Sequence, residues 1–96
     1  MPRDEARQIN FTNHALKRLA ERDRTEVEVE AAIRGGAWEA NGLGRNGEPK
    51  WRVFIGPPTD LTGVVFVETT HQEHGETITT IEILLVITVM NKSGWR

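Results

Sequence analysis

Apolar residues recur at helical spacing in the first third of the chain and at alternating spacing in most of the rest. Between Phe11 and Arg22, Ala15, Leu16, Leu19 and Ala20 gather on one side of a helix turning by about 100° per residue. Thr12 or Asn13 supplies the N-cap oxygen, and the spacing predicts a helix to about Asp23. Thr25-Glu26-Val27-Glu28 has the form of a capping box, in which threonine and glutamate satisfy each other's backbone donors. It opens a second helix with Val29, Ala32 and Ile33 as its seam, and Gly35-Gly36 offers the left-handed residue that closes it. Asp23-Arg24 leaves almost no linker, so the helices form a tight corner.

From residue 37 the period becomes two. Ala37 to Ala40 reads as a short strand, and residues 41 to 49, with three glycines and two asparagines, as a loop. Lys50 to Gly56 alternates, with Trp51, Val53 and Ile55 on one face and Lys50, Arg52 and Phe54 on the other. Pro57-Pro58 ends that strand. Val64 to Thr70 is a β-branched strand, and His71 to Gly75 is expected to be a hairpin turn. Thr77 to Met90 is a long or bulged strand whose odd positions, Ile81, Ile83, Leu85, Ile87 and Val89, are expected to pack against the helices. The opposite side, with Thr80, Glu82 and Thr88, is partly polar and is where a cleft is expected. Met1 to Asn10 is expected to be a lead-in anchored by Ile9, and residues 91 to 96 a tail held by Trp95. The order predicts a single α+β domain over residues 1–96. Its two N-terminal helices pack on one face of a three- to four-stranded, mostly antiparallel sheet.

Composition narrows the class. With 38% hydrophobic and 27% charged residues the chain is an ordinary globular sequence, and at 96 residues it buries roughly two-thirds of its unfolded surface. It has no cysteine, which excludes disulfides and thiolate metal sites and suits the cytosol. The charged first twenty residues do not form a signal peptide, and the longest apolar run is too short and polar for a membrane helix, so no membrane partner is expected. Net charge is −2, split as +1 over residues 1–52 and −3 over residues 53–96. That balance argues mildly against a protein that embraces long nucleic acid.

The chemistry concentrates on the first helix. His14, Arg18 and Arg22 are four residues apart and stack as a stripe along the edge of its apolar face. An imidazole beside two permanent cations can hold and cleave a phosphodiester; the plainer alternative is a solvated helix edge paired with Glu21, Asp23 or Glu26. His71-x-x-His74 with Glu73 and Glu76 could ligate zinc, but a turn with no Cys and no third distant His is a poor site, so no metal or other cofactor is expected. Gly42-x-Gly44-x-x-Gly47 has dinucleotide-motif spacing outside any βαβ unit and is read as a loop. Trp38, Trp51 and Trp95 are expected in the core or at a partner contact rather than stacked on bases.

His14-Ala15-x-x-Arg18-x-x-x-Arg22, followed by an acidic second helix and by Val86-Ile87-Thr88-Val89-Met90, resembles a family of small bacterial domains of uncharacterised function. That family is grouped with the RelE/ParE-like toxins and, more broadly, with the barnase, EndoU, colicin and RelE-like fold. The similarity covers roughly residues 11–90 and departs from the family at Arg24, where an aliphatic residue is usual. The resemblance implies a metal-independent endoribonuclease toxin that cleaves RNA, tRNA or mRNA, by attack of a 2′-hydroxyl on the adjacent phosphate. It acts in the cytoplasm or is delivered into a target cell's cytoplasm. His14 would be the base or the acid, with Arg18 and Arg22 as the phosphate clamp. Lys50 and Arg52 would add to the clamp, and Thr88 would donate to a phosphate oxygen. The partner would be a cognate antitoxin or immunity protein, acidic where it meets Arg18 and Arg22. The alternative is a non-catalytic RelE-like module that docks a protein or RNA.

Overall fold

The structure, a computed structural model, describes residues 7–91. Residues 1–6 and 92–96, which carry most of the expected lead-in and the tail with Trp95, lie outside the described residues. The elements run β1 (Gln8–Phe11), α1 (Asn13–Glu21), α2 (Glu26–Gly35), β2 (Glu39–Leu43), β3 (Pro49–Ile55), β4 (Thr62–His74) and β5 (Ile78–Asn91). They form an α+β fold with two helices and one five-stranded sheet in the order β1-β5-β4-β3-β2.

The sheet has more strands than the sequence pattern indicated, and it is mixed. Gln8 to Phe11, expected in the lead-in, is a strand parallel to β5, with Ile9 opposite Leu84 and Phe11 opposite Val86. Four residues with one buried side chain are too short to carry a readable alternation. β2 begins two residues late and runs into the expected loop, to Leu43. His71 to His74, expected in a turn, instead continues β4, and the turn tightens to Gly75–Thr77.

Both helices start where local chemistry dictates. The Thr12 hydroxyl accepts from Ala15 N at 3.1 Å, and Thr25 and Glu28 form the complete capping box. α1 closes with Asp23 in the left-handed region at φ 56°, while Asp23 N donates to Ala20 O and Arg24 N to Leu19 O. This is a Schellman closure with aspartate where glycine is usual. α2 closes on Gly36 at φ 79°, and Trp38 Nε1 donates to its Ile33 carbonyl at 2.7 Å.

Ala15 and Leu19 of α1 and Val29 and Ile33 of α2 share a buried cluster with Ile9, Val53, Ile55, Val64, Phe66, Leu84, Val86 and Val89. Phe66 fills its middle, edge-on to Trp38 with ring centroids 4.9 Å apart. The face of β5 differs from the expected one. Val65 pairs with Thr88 but Phe66 with Val86, so Ile87 is an extra residue in a bulge. The bulge shifts the alternation: Leu84 and Val86 face the cluster before it, Val89 after it. Ile81, Ile83 and Leu85 therefore lie on the opposite face.

Arg24 ties the helix corner to the sheet. Its side chain is 14% exposed; Nε donates to Thr62 Oγ1 at 3.3 Å and Nη2 to the Asp60 carbonyl at 2.9 Å. Thr62 is buried, so the guanidinium ties the helix corner to the start of β4 and satisfies a buried hydroxyl. Gly56, at φ 95°, leaves room for it, since a Cβ there would meet Arg24 Nη2 at 2.5 Å.

Candidate functional site

β1 pairs with β5 only as far as Val86, which leaves the next stretch of β5 with an open edge. α1 takes over that edge. Thr12 N donates to Val86 O at 3.0 Å, Thr12 Oγ1 to Ile87 O at 3.3 Å, and Arg18 Nε to Val89 O at 3.4 Å. These donors satisfy carbonyls that a sheet edge would otherwise leave to solvent or to another chain. Because α1 lies along the edge, its exposed His14 reaches the bulge, where Nε2 sits 3.3 Å from Thr88 Oγ1. Which of the two donates is set by the imidazole tautomer.

Thr88 belongs to the face turned away from the buried cluster. Across the strands its row reads Thr88, Val65, Arg52 and Glu39. Neighbouring strands are about 4.8 Å apart, so Arg52 and Thr88 are rooted roughly 10 Å from each other with buried Val65 between them. The adjacent row holds Lys50, Val67, Leu85 and Asn10. Sheet register therefore brings Lys50 and Arg52 to the face that carries Thr88 and, beside it, His14.

Arg52 is held from two sides. Its Nη2 is 3.2 Å from Glu39 Oε1, and its guanidinium carbon lies 5.6 Å from the Phe54 ring centroid. Phe54 shares the strand face of Arg52, as the alternation predicts, whereas Glu39 is the neighbour that sequence reasoning missed. Strand pairing places Glu39 opposite Arg52 from thirteen residues away, and no local spacing signals that.

The two helix arginines are placed differently. Arg18 directs Nε to the β5 edge and lies 3.9 Å from Glu21, a partly exposed pair of small energetic weight. Arg22 is the C-cap residue of α1 and is half-buried. Of the other histidines, His71 stands on the same sheet face as Thr88 but six residues along β4 from Val65, about 20 Å at strand spacing. It is too distant to share a phosphate with His14. Trp51 and Trp38 belong to the core side, where Trp51 Nε1 donates to Glu68 Oε1 at 2.7 Å and Arg7 pairs with the same carboxylate at 3.1 Å.

The chemistry on this face consists of an exposed imidazole touching a hydroxyl, an arginine held in place across the sheet, and a lysine one row away. No helix among the described residues is long and apolar enough to cross a membrane. Comparison with protein-family models, with curated proteins and with solved structures gives no match.

Proposed function

We propose that this chain is a metal-independent endoribonuclease of RelE-like fold, acting as the toxin of a toxin–antitoxin or toxin–immunity pair. The observation that carries the reading is the 3.3 Å approach of His14 Nε2 to Thr88 Oγ1 on an exposed edge, in line with Arg52. His14 takes the proton from a ribose 2′-hydroxyl, the 2′-oxygen bonds to phosphorus, and the bond from phosphorus to the 5′-oxygen breaks. Water protonates the leaving 5′-oxygen, since no second histidine stands near. The products are a 2′,3′-cyclic phosphate and a 5′-hydroxyl. Arg52, Lys50 and the Thr88 hydroxyl stabilise the charge that builds on the phosphate, and Arg18 and Arg22 add positive potential from α1. A cognate inhibitor then covers α1 with an acidic surface.

The test is expression of the chain alone beside its His14→Ala variant. Growth arrest and cyclic-phosphate ends with the first and not the second support the reading; equal toxicity removes His14 from the mechanism. A second reading, a non-catalytic module that docks RNA or protein, is favoured by the single histidine at the site. RNA that is bound but never cut selects it.

A further inference from the structure

β4 and β5 outrun the rest of the sheet. β3 pairs with β4 only up to Val67, and β1 with β5 only from Ile83, yet the two long strands stay paired out to His74 and Ile78. The result is a two-stranded arm in which every residue from Thr70 to Thr80 is exposed, on a molecule 50 Å long and 30 Å wide. A free two-stranded ribbon is marginally stable in water, and an unguarded edge is a template for another strand. Of the usual guards the arm has only acidic side chains. Between Thr69 and Glu82 there is no lysine, arginine or proline, and the bulge lies outside the arm, at Ile87.

We propose that the outer edge of β4 on this arm pairs, antiparallel and about a two-fold axis, with the same edge of a second copy of this chain. The register follows by elimination. An axis at His71 would set His74 of one copy opposite Glu68 of the other, in the track that Pro49 begins to occupy as β3 starts beside Lys50 and Val67. An axis at Glu73 would set two carboxylates face to face. An axis at Gln72 clears β3 and pairs Thr70 with His74, His71 with Glu73, and Gln72 with itself. Each Glu73 carboxylate then meets an imidazole of the other copy, twice, and the two Gln72 amides can bond each other. Paired positions have the same parity, so the two sheets join into one of ten strands with both helix pairs on one side. The arm's acidic side chains, Glu73, Glu76 and Glu82, repel nucleic acid, so the arm is directed at protein and stands apart from the proposed RNA site.

The full chain has no cysteine, so Gln72→Cys introduces a single thiol. At the axis of an antiparallel pair the two Cα atoms are about 4.5–5.5 Å apart, within disulfide range. Mild oxidation is expected to give a covalent dimer with Gln72→Cys and none with Thr80→Cys, on the other edge of the arm. In sedimentation velocity the unmodified chain is expected to dimerise reversibly. Glu73→Lys weakens that dimer tenfold or more, and His71→Glu/Glu73→Lys, which reverses the pair, restores it. Circular dichroism on each variant reports that the fold is kept. A chain that stays monomeric, crosslinking at position 80 in place of 72, or a charge reversal without effect overturns the proposal.

Discussion

Replacing Arg24 tests whether the guanidinium at the helix corner is structural. In Arg24→Ala the hydrogen bond from Nε to Thr62 disappears and leaves a buried hydroxyl short of a partner. A hydrogen bond from a charged donor contributes about 1.5–3 kcal/mol. The contacts to exposed Asp60 and to Glu28, at 3.2 and 3.9 Å, add at most about 1 kcal/mol because solvent screens them. The expected loss is therefore about 2–4 kcal/mol, or roughly 10–25 °C in melting temperature for a domain of this size. Urea denaturation is the assay, with the slope unchanged and the midpoint lowered. Thr62→Val alone is expected to cost about 1–3 kcal/mol by stranding the guanidinium. The double variant Arg24→Ala/Thr62→Val removes both polar partners, so its cost falls short of the sum of the singles by at least ~1 kcal/mol. Strictly additive costs, or an Arg24→Ala loss under about 0.5 kcal/mol, refute the argument.

Three further predictions follow from the same geometry. Thr88→Val removes one hydrogen bond to His14, about 1 kcal/mol, so under the proposed function the RNA cleavage rate should fall about three- to tenfold while the melting temperature drops by no more than about 4–8 °C; an unchanged rate would detach Thr88 from the site. Arg52→Lys keeps the charge but loses the planar fork held between Glu39 and Phe54, so under the proposed function RNA affinity should drop at least about tenfold in a filter-binding titration, whereas equal affinity would make Arg52 a general counter-ion. Asp23→Gly relieves a side chain held at φ 56° and should raise stability by about 0.5–1 kcal/mol, with a lowered urea midpoint contradicting the Schellman reading.

The candidate site was legible in part. His14 and Thr88 were named from the helix motif and the final strand, although 74 residues separate them. Their approach depends on β1, the element the pattern concealed, because its parallel pairing launches α1 along the β5 edge at the bulge. The stripe of His14, Arg18 and Arg22 follows from helical pitch alone. Its members nevertheless have different surroundings: His14 meets Thr88, Arg18 meets the β5 edge, and Arg22 caps the helix. Pitch fixes direction around one axis and says nothing about what lies opposite.

By itself the sequence determined what a few consecutive residues can settle. The capping box at Thr25 and Glu28, the left-handed stop at Gly36 and the alternation of Lys50 to Ile55 are local, since their hydrogen bonds and side-chain directions close within one element. Tertiary structure decided the rest. One extra residue at Ile87 exchanged the two faces of β5, because a period of two keeps no memory of its phase across an insertion. Register across three strands put Arg52 in line with Thr88, and a helix corner found its partner in Thr62 38 residues away. Such contacts depend on which strands become neighbours, and that is settled only when the whole chain buries its apolar surface at once.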